Sequence, residues 1–287
     1  MEIGLKTIQK TTKIDSHSNN KLLVIHINEN WITFCLFVNE ELSELNKINF
    51  LYKKKENFVL KTIKKYLKSF SDNDLPKEVK LIYYNKTSTL APSALFDDKN
   101  LLNYLKFNTT IKVNDIAAND DILNNEINNI YIPNTDINNF IFEKFKAFDF
   151  YHYSSLIIEK FSKDLADGFN DKIILNINDG FIDILFFQNK KLIFYNSFDY
   201  VSNEDILYFL LFCISELKLS PDKVHTICYG FISLESKLYE LIYKYVRNVE
   251  LIEGDEIQGI DSAILKSNIL LTKFRWELSQ GNLAGEE

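Results

Sequence analysis

The sequence predicts an α/β fold of two related halves, each reading βββαβα, with mixed sheets covered by helices. Three observations carry that prediction. Residues 22–39 line up without a gap on residues 172–189, with identities at Ile27/Ile177, Asn28/Asn178, Ile32/Ile182, Phe37/Phe187 and Asn39/Asn189. A second match follows in the same order and at a slightly shorter offset, residues 76–84 on residues 221–229, each opening on proline. Between the matched segments of each half runs a helical pattern, and three hairpin-linked strands followed by crossover helices and parallel strands give a mixed, helix-covered sheet.

Taken in order, residues 1–20 read as a flexible arm or an edge strand. Residues 22–27 form a continuous apolar run, as in a strand buried on both faces. Residues 31–38 mix β-branched and aromatic side chains, which suit a strand, and 42–50 complete the set. Asn28-Glu29-Asn30 and Asn39-Glu40 are the turns, because asparagine tolerates the left-handed backbone that tight turns require. Helical spacing of Phe58, Leu60, Ile63, Leu67 and Phe70 marks a helix over 56–70. Residues 79–84 are a strand, and Leu101, Leu102 and Leu105 mark a short helix. Residues 111–113 and 130–132 read as short strands around an Asn/Asp-rich stretch, 119–129, that is an exposed loop or a polar helix. Residues 136–148 read as a helix.

The second half repeats the plan with strands at 172–178, 181–188 and 191–199. Ser202, with Asp205 three residues on, opens a helix over 203–218 as a capping box. That helix is apolar nearly all round, which predicts burial between layers. Strand 224–229, a helix over 233–246, strand 249–252 and a closing helix over 259–278 carrying Trp276 follow. The expected domains are residues 1–148 and 149–287.

Composition bounds the function. With 287 residues and 46% hydrophobic content the chain can build a large core, and 23 Phe and 15 Tyr against a single Met make that core aromatic. A net charge of −7 argues against general nucleic-acid binding, which needs a basic surface. Lys53-Lys54-Lys55 with Lys61, Lys64, Lys65 and Lys68 is the one candidate basic patch, and a solvated helix face is its ordinary reading. Cys35, Cys213 and Cys228 sit in apolar runs without metal-ligand spacing and read as buried thiols. The polar N-terminus lacks a signal-like apolar region. The longest apolar run, 206–214, is far short of the roughly 20 residues that cross a bilayer. The chain is expected to be cytoplasmic, without membrane insertion.

A duplicated βββαβα unit resembles the actin-like ATPase superfamily, a ribonuclease H-like fold that also holds sugar kinases and Hsp70 chaperones. That resemblance implies phosphate-gripping hairpins between the first two strands of each half. Each would carry an aspartate at the end of the first strand, followed by glycine and small hydroxyl residues, and a Gly-Gly turn in the second half would receive adenosine. Here the aspartate positions fall on His26 and Asn176 and the glycine positions on Asn28 and Asn178. Glu29 and Asn30 follow in one turn, Asp179 and Gly180 in the other. The adenosine turn reads Tyr229-Gly230-Phe231, with one glycine. A carboxylate at Glu29 or Asp179 repels phosphate. The whole is similar to an uncharacterised bacterial family of Bacteroidetes type, of unknown function, for which an actin-like ATPase fold is expected.

The candidate cleft residues are therefore Asn28, Glu29, Asn30, Asn178, Asp179, Gly180 and Gly230, with no catalytic or metal-ligating residue assigned. His26 is a phosphate ligand or a general base on the sharp reading and a satisfied core histidine on the ordinary one. Asp183 is a metal ligand or, more simply, a solvent-facing strand residue. Glu29 and Asp179 can be a carboxylate pair across a cleft or two solvated turn residues. His152, between Tyr151 and Tyr153, lies on an aromatic strand that is either an exposed binding surface or core. The expected function is that of a non-catalytic actin-like protein acting through an unknown protein partner. The alternative is a nucleotide-binding protein or weak ATPase that still takes ATP in its cleft.

Overall fold

The computed structural model describes residues 6–10, 20–50, 58–164 and 171–252. The Lys53-Lys54-Lys55 run and the closing helix expected over 259–278 lie outside the described residues. The chain divides into two compact units, Met1–Ile157 and Ile158–Glu287.

The first unit runs β1 (Lys6–Lys10), β2 (Lys21–Asn28), β3 (Trp31–Val38), β4 (Glu41–Asn49), α1 (Phe58–Leu67) and β5 (Glu78–Tyr84). An insertion follows: β6 (Ser88–Pro92), α2 (Leu101–Leu105), β7 (Ala118–Ile122) and β8 (Ile127–Tyr131). The main unit resumes with α3 (Thr135–Phe145), β9 (Asp149–His152) and α4 (Tyr153–Asp164), within which the division into units falls. The second unit runs β10 (Asp171–Ile177), β11 (Phe181–Gln188), β12 (Lys191–Asp199), α5 (Asn203–Glu216), β13 (His225–Gly230), α6 (Lys237–Tyr245) and β14 (Asn248–Leu251).

The sheets carry the duplication. Strand order is β1-β4-β3-β2-β5-β9 in the first and β12-β11-β10-β13-β14 in the second, so the second repeats the first without its β1 edge. The hairpins keep register, Lys21 opposite Val38 and Asp171 opposite Gln188. Each next hairpin has its irregularity at the same place, Leu36/Phe37 and Phe186/Phe187. The turns between them, Asn39-Glu40 and Asn189-Lys190, share left-handed φ values of 49° and 66°. Such two-residue turns match the twist of the strands they join. The strand expected over 249–252 has its counterpart in β9, which pairs parallel with β5 as β14 pairs with β13.

Alternation along each strand builds the cores. Leu23, Ile25, Ile27, Phe34, Leu81 and Tyr83 pack under α1 and α3. Their counterparts Ile173, Leu175, Ile177, Ile184 and Cys228 pack under α5 and α6. Lys61, Lys64, Lys65 and Lys68 are exposed, and the three cysteines are buried thiols, both as expected.

Several expectations are corrected. Residues 119–129 are neither loop nor polar helix but most of the β7–β8 hairpin. Residues 111–113 are not a strand, and β6 pairs with β8 instead. Asparagine is a poor strand former, but here Asn119 donates to Asn128 and Asn128 to Ser93, and Ile122, Ile130 and Tyr131 are buried beneath. Residues 153–164 form α4, which the aromatic run at its start concealed. Helix α5 is not buried all round: Tyr208 and Phe212 are 62% and 46% exposed, and their rings lie parallel 6.2 Å apart on the outer side.

Candidate functional site

His26 and Asn176 alternate with core residues and so face the side of their sheet away from α1/α3 and α5/α6. Each lies opposite its hairpin partner, His26 facing Thr33 and Asn176 facing Asp183. Both are fully buried.

In the first hairpin, His26 Nδ1 lies 3.1 Å from the Tyr84 hydroxyl. Tyr84 is in turn stacked on Tyr153 at 3.9 Å and met edge-on by Trp31 at 5.0 Å. Among the described residues His26 Nε2 and Thr33 Oγ1 have no hydrogen-bond partner. Burial pushes the imidazole down to about 3, so at neutral pH it is uncharged and offers a phosphate no cation. The turn closes on itself. Asn28 Oδ1 accepts the Asn30 N–H at 2.8 Å, and Asn30 O accepts the Phe50 N–H at 2.8 Å. Glu29 and Asn30 are exposed, and Asn28 is half-buried.

In the second hairpin, Asp183 is the centre. Its carboxylate accepts from Asn176 Nδ2, Asn178 Nδ2 and the Tyr195 hydroxyl, each at 3.0 Å. The expectation of a solvent-facing Asp183 is thus overturned: it is fully buried, because position 183 shares its face with buried Leu185 and Phe187. Asn178 is buried as well. Its N–H donates to Phe181 O at 2.9 Å and its O accepts from the Tyr200 hydroxyl at 2.7 Å. Asp179 and Gly180 are exposed at the tip, where Gly180 has φ +86°. The counterpart of Gly180, Asn30, is not among the left-handed residues, so the two tips differ in backbone.

At the third turn Gly230 has φ +91°, and Phe231 donates its N–H to Ile177 O at 3.0 Å. A Cβ on Gly230 would lie 2.0 Å from that same Ile177 O. Glycine is required here both by the left-handed φ and by the close approach of the Ile177 carbonyl on the neighbouring parallel strand β10.

The amides of Asn30, Asn178 and Phe231 are therefore bonded within the protein, and exposed carboxylates stand at both tips. Glu29 lies in the first unit and Asp179 in the second. Among the described residues no group of three His, Cys, Asp or Glu side chains gathers where it can hold a metal ion.

A second polar cluster, which pattern reading missed, joins the insertion to β9 and α4. His152 Nε2 lies 3.0 Å from Asn85 O, an acceptor only, so the proton sits on Nε2 and Nδ1 accepts. Nδ1 receives the Ser154 hydroxyl at 2.7 Å and the Ser154 N–H at 3.2 Å. Asn129 Nδ2 donates to the hydroxyls of Ser154 and Ser155, both at 2.8 Å. Ser155 and Tyr131 donate their hydroxyls to Asp120, which also accepts the His152 N–H at 2.8 Å. His152 itself is buried, as are Ser154 and Ser155 at the start of α4, while Asp149, Phe150 and Tyr151 of the aromatic strand are half-buried. Burial holds His152 at about 4 and raises Asp120 to about 6. A Ser–His pair shut away from solvent reaches no substrate, and the cluster works as a structural pin at the start of α4. Its sequence signal is the short polar run His152, Ser154, Ser155 at a strand-to-helix junction.

Two units of this topology, with duplicated hairpins at equivalent positions, define the actin-like ATPase fold. A Bacteroides thetaiotaomicron protein with actin-like ATPase fold and unknown function is similar over 91% of this chain and 99% of its own, with a TM-score of 0.69 and 21% identity. A chain of the PilM–PilN type IV pilus biogenesis complex is similar over 90% of this chain and 96% of its own, with a TM-score of 0.53 and 10% identity. The chain belongs to the family described as protein of unknown function (DUF3822), whose pattern it matches over residues 9–249. No curated protein matches it by sequence.

Proposed function

We propose that this protein is a non-catalytic member of the actin-like fold that works through protein–protein contacts. One observation carries the reading. The positions where the resemblance places the two aspartates hold His26 and Asn176, and both are fully buried in the interior of their own units. A buried uncharged imidazole and a buried amide supply no carboxylate for a metal or an attacking water, which supports the reading, and fold alone does not imply a reaction. That a neighbour of this fold comes from the PilM–PilN assembly supports a role inside a complex.

The test is an ATPase assay on purified protein with magnesium, free of contaminating hydrolases. No turnover above a heat-treated control is expected. Turnover that disappears in Asp179→Ala would overturn the reading.

A further inference from the structure

The insertion between β5 and α3 has two unlike faces. Residues opposite each other on its ladders point the same way, Ile130 with Thr89 and Asn129 with Asp120. On one face Ala91, Leu105 and Ile130 make a small core of their own, with Leu105 supplied by α2. On the other stand Asp120, Asn129 and Tyr131, and this face meets β9 and the start of α4. Asp120 accepts the His152 N–H and the Ser155 hydroxyl, and Asn129 donates to the hydroxyls of Ser154 and Ser155. The Tyr131 ring reaches the main core, 6.4 Å from Phe150.

A polar join between bodies that each keep a core separates more readily than a continuous apolar one. The closed join also carries costs. Asn129 Oδ1 is buried and, among the described residues, has no hydrogen-bond partner. Burial of the Asp120 carboxylate raises it to about 6. Water met on opening hydrates both groups.

The connections have the form of a hinge. The chain enters the insertion through residues 85–87 and leaves it through 132–134. Asn85 Nδ2 donates to Ile132 O at 3.1 Å, and the Ile132 N–H donates to Thr87 O at 3.2 Å. The two passages are thus tied to each other and turn together. His152 Nε2 donates to Asn85 O, which holds the root of the hinge against β9.

We propose that the insertion is a hinged flap that swings off β9 and the start of α4 as one body, turning about residues 85–87 and 132–134 and baring Asp120, Asn129 and Tyr131. Its own core and ladders stay closed in that motion, and the hydrogen bonds of Asp120 and Asn129 are the latch.

Thiol labelling of the full chain under native conditions tests the flap. Ser155→Cys places a thiol under the latch, and the native Cys35, buried in β3, reports global unfolding in the same sample. The new thiol is expected to label at least about tenfold faster than Cys35. Adding Asn129→Ala weakens the latch and should speed it about tenfold more, with Cys35 unchanged. Ala91→Cys, inside the insertion's own core, should label far more slowly than Ser155→Cys. Should Ser155→Cys fail to fold, hydrogen exchange of the unsubstituted chain replaces it: the His152 N–H, bonded to Asp120, should exchange faster than the N–H groups of the β7–β8 ladder. A thiol at 155 that labels only as fast as Cys35, a rate indifferent to Asn129→Ala, a thiol at 91 as fast as that at 155, or a His152 N–H as slow as the ladder overturns the proposal.

Discussion

Gly180 and Gly230 both have left-handed backbone, yet for different reasons. At Gly180 nothing lies within 4 Å of an added Cβ, so Gly180→Ala meets only the conformational cost of its φ, about 1 kcal/mol. At Gly230 the Cβ also strikes the Ile177 carbonyl, so Gly230→Ala is expected to cost about 3 kcal/mol or more. Chemical denaturation of the two variants side by side reads the order. Asp183 is the other residue with a sharp expectation. Asp183→Ala leaves the donors of Asn176, Asn178 and Tyr195 facing a buried gap, and a loss of about 2–4 kcal/mol in the same measurement is expected. Strand parity sets the face that Asp183 takes, and the tertiary structure covers that face. Its aligned partner in the repeat is Thr33, which is also buried, so the two copies fill the same position with different side chains.

Among the elements, α5 begins on a complete capping box. Ser202 Oγ accepts the Asp205 N–H at 3.2 Å, and Asp205 accepts the Ser202 N–H at 2.9 Å. Ser202→Ala should lower the melting temperature by an amount corresponding to about 1 kcal/mol. The Ser-x-x-Asp pattern was readable because capping is local in sequence. The pin at α4 was not, since its members come from β7, β8, β9 and the loop after β5. It sets a pH dependence together with His26. Both histidines are held below their ordinary 6.5, so the unfolded chain takes up protons first. Their contribution is complete above pH 6.5 and is lost as pH falls toward about 4 for His152 and about 3 for His26. Asp120 runs the other way: raised to about 6, it costs stability above pH 6 and relieves it as pH falls toward 3.8. One carboxylate offsets about one histidine, and the net is a loss of about 3 kcal/mol between pH 7 and 4.5. Urea denaturation across that range should show the fall. His26→Asn, which installs the side chain of the equivalent Asn176, should flatten it.

For the whole molecule, the reading in which the protein works through protein contacts and holds no nucleotide predicts that millimolar ATP or ADP with magnesium leaves the melting temperature unchanged. A ligand that binds the folded state must raise it by mass action, so a shift of several degrees in a fluorimetric melt would count against the reading. No described helix is long and apolar enough to cross a membrane, in keeping with the shortness of the apolar run in α5. The insertion between β5 and α3 belongs to the first unit alone, which is why the repeat skipped it: a segment present once leaves no internal match to read.

By itself the sequence determined the duplicated strands, their turns and the presence of His26 and Asn176 at the ends of the first strand of each half. These rest on alternation and turn chemistry, which act over a few residues. Only the tertiary structure decided that Asp183 is buried, that the turn amides are bonded internally, and that β1 lies along β4. Those facts depend on strands brought together from distant parts of the chain, where the surroundings of a side chain, and not its identity, set its chemistry.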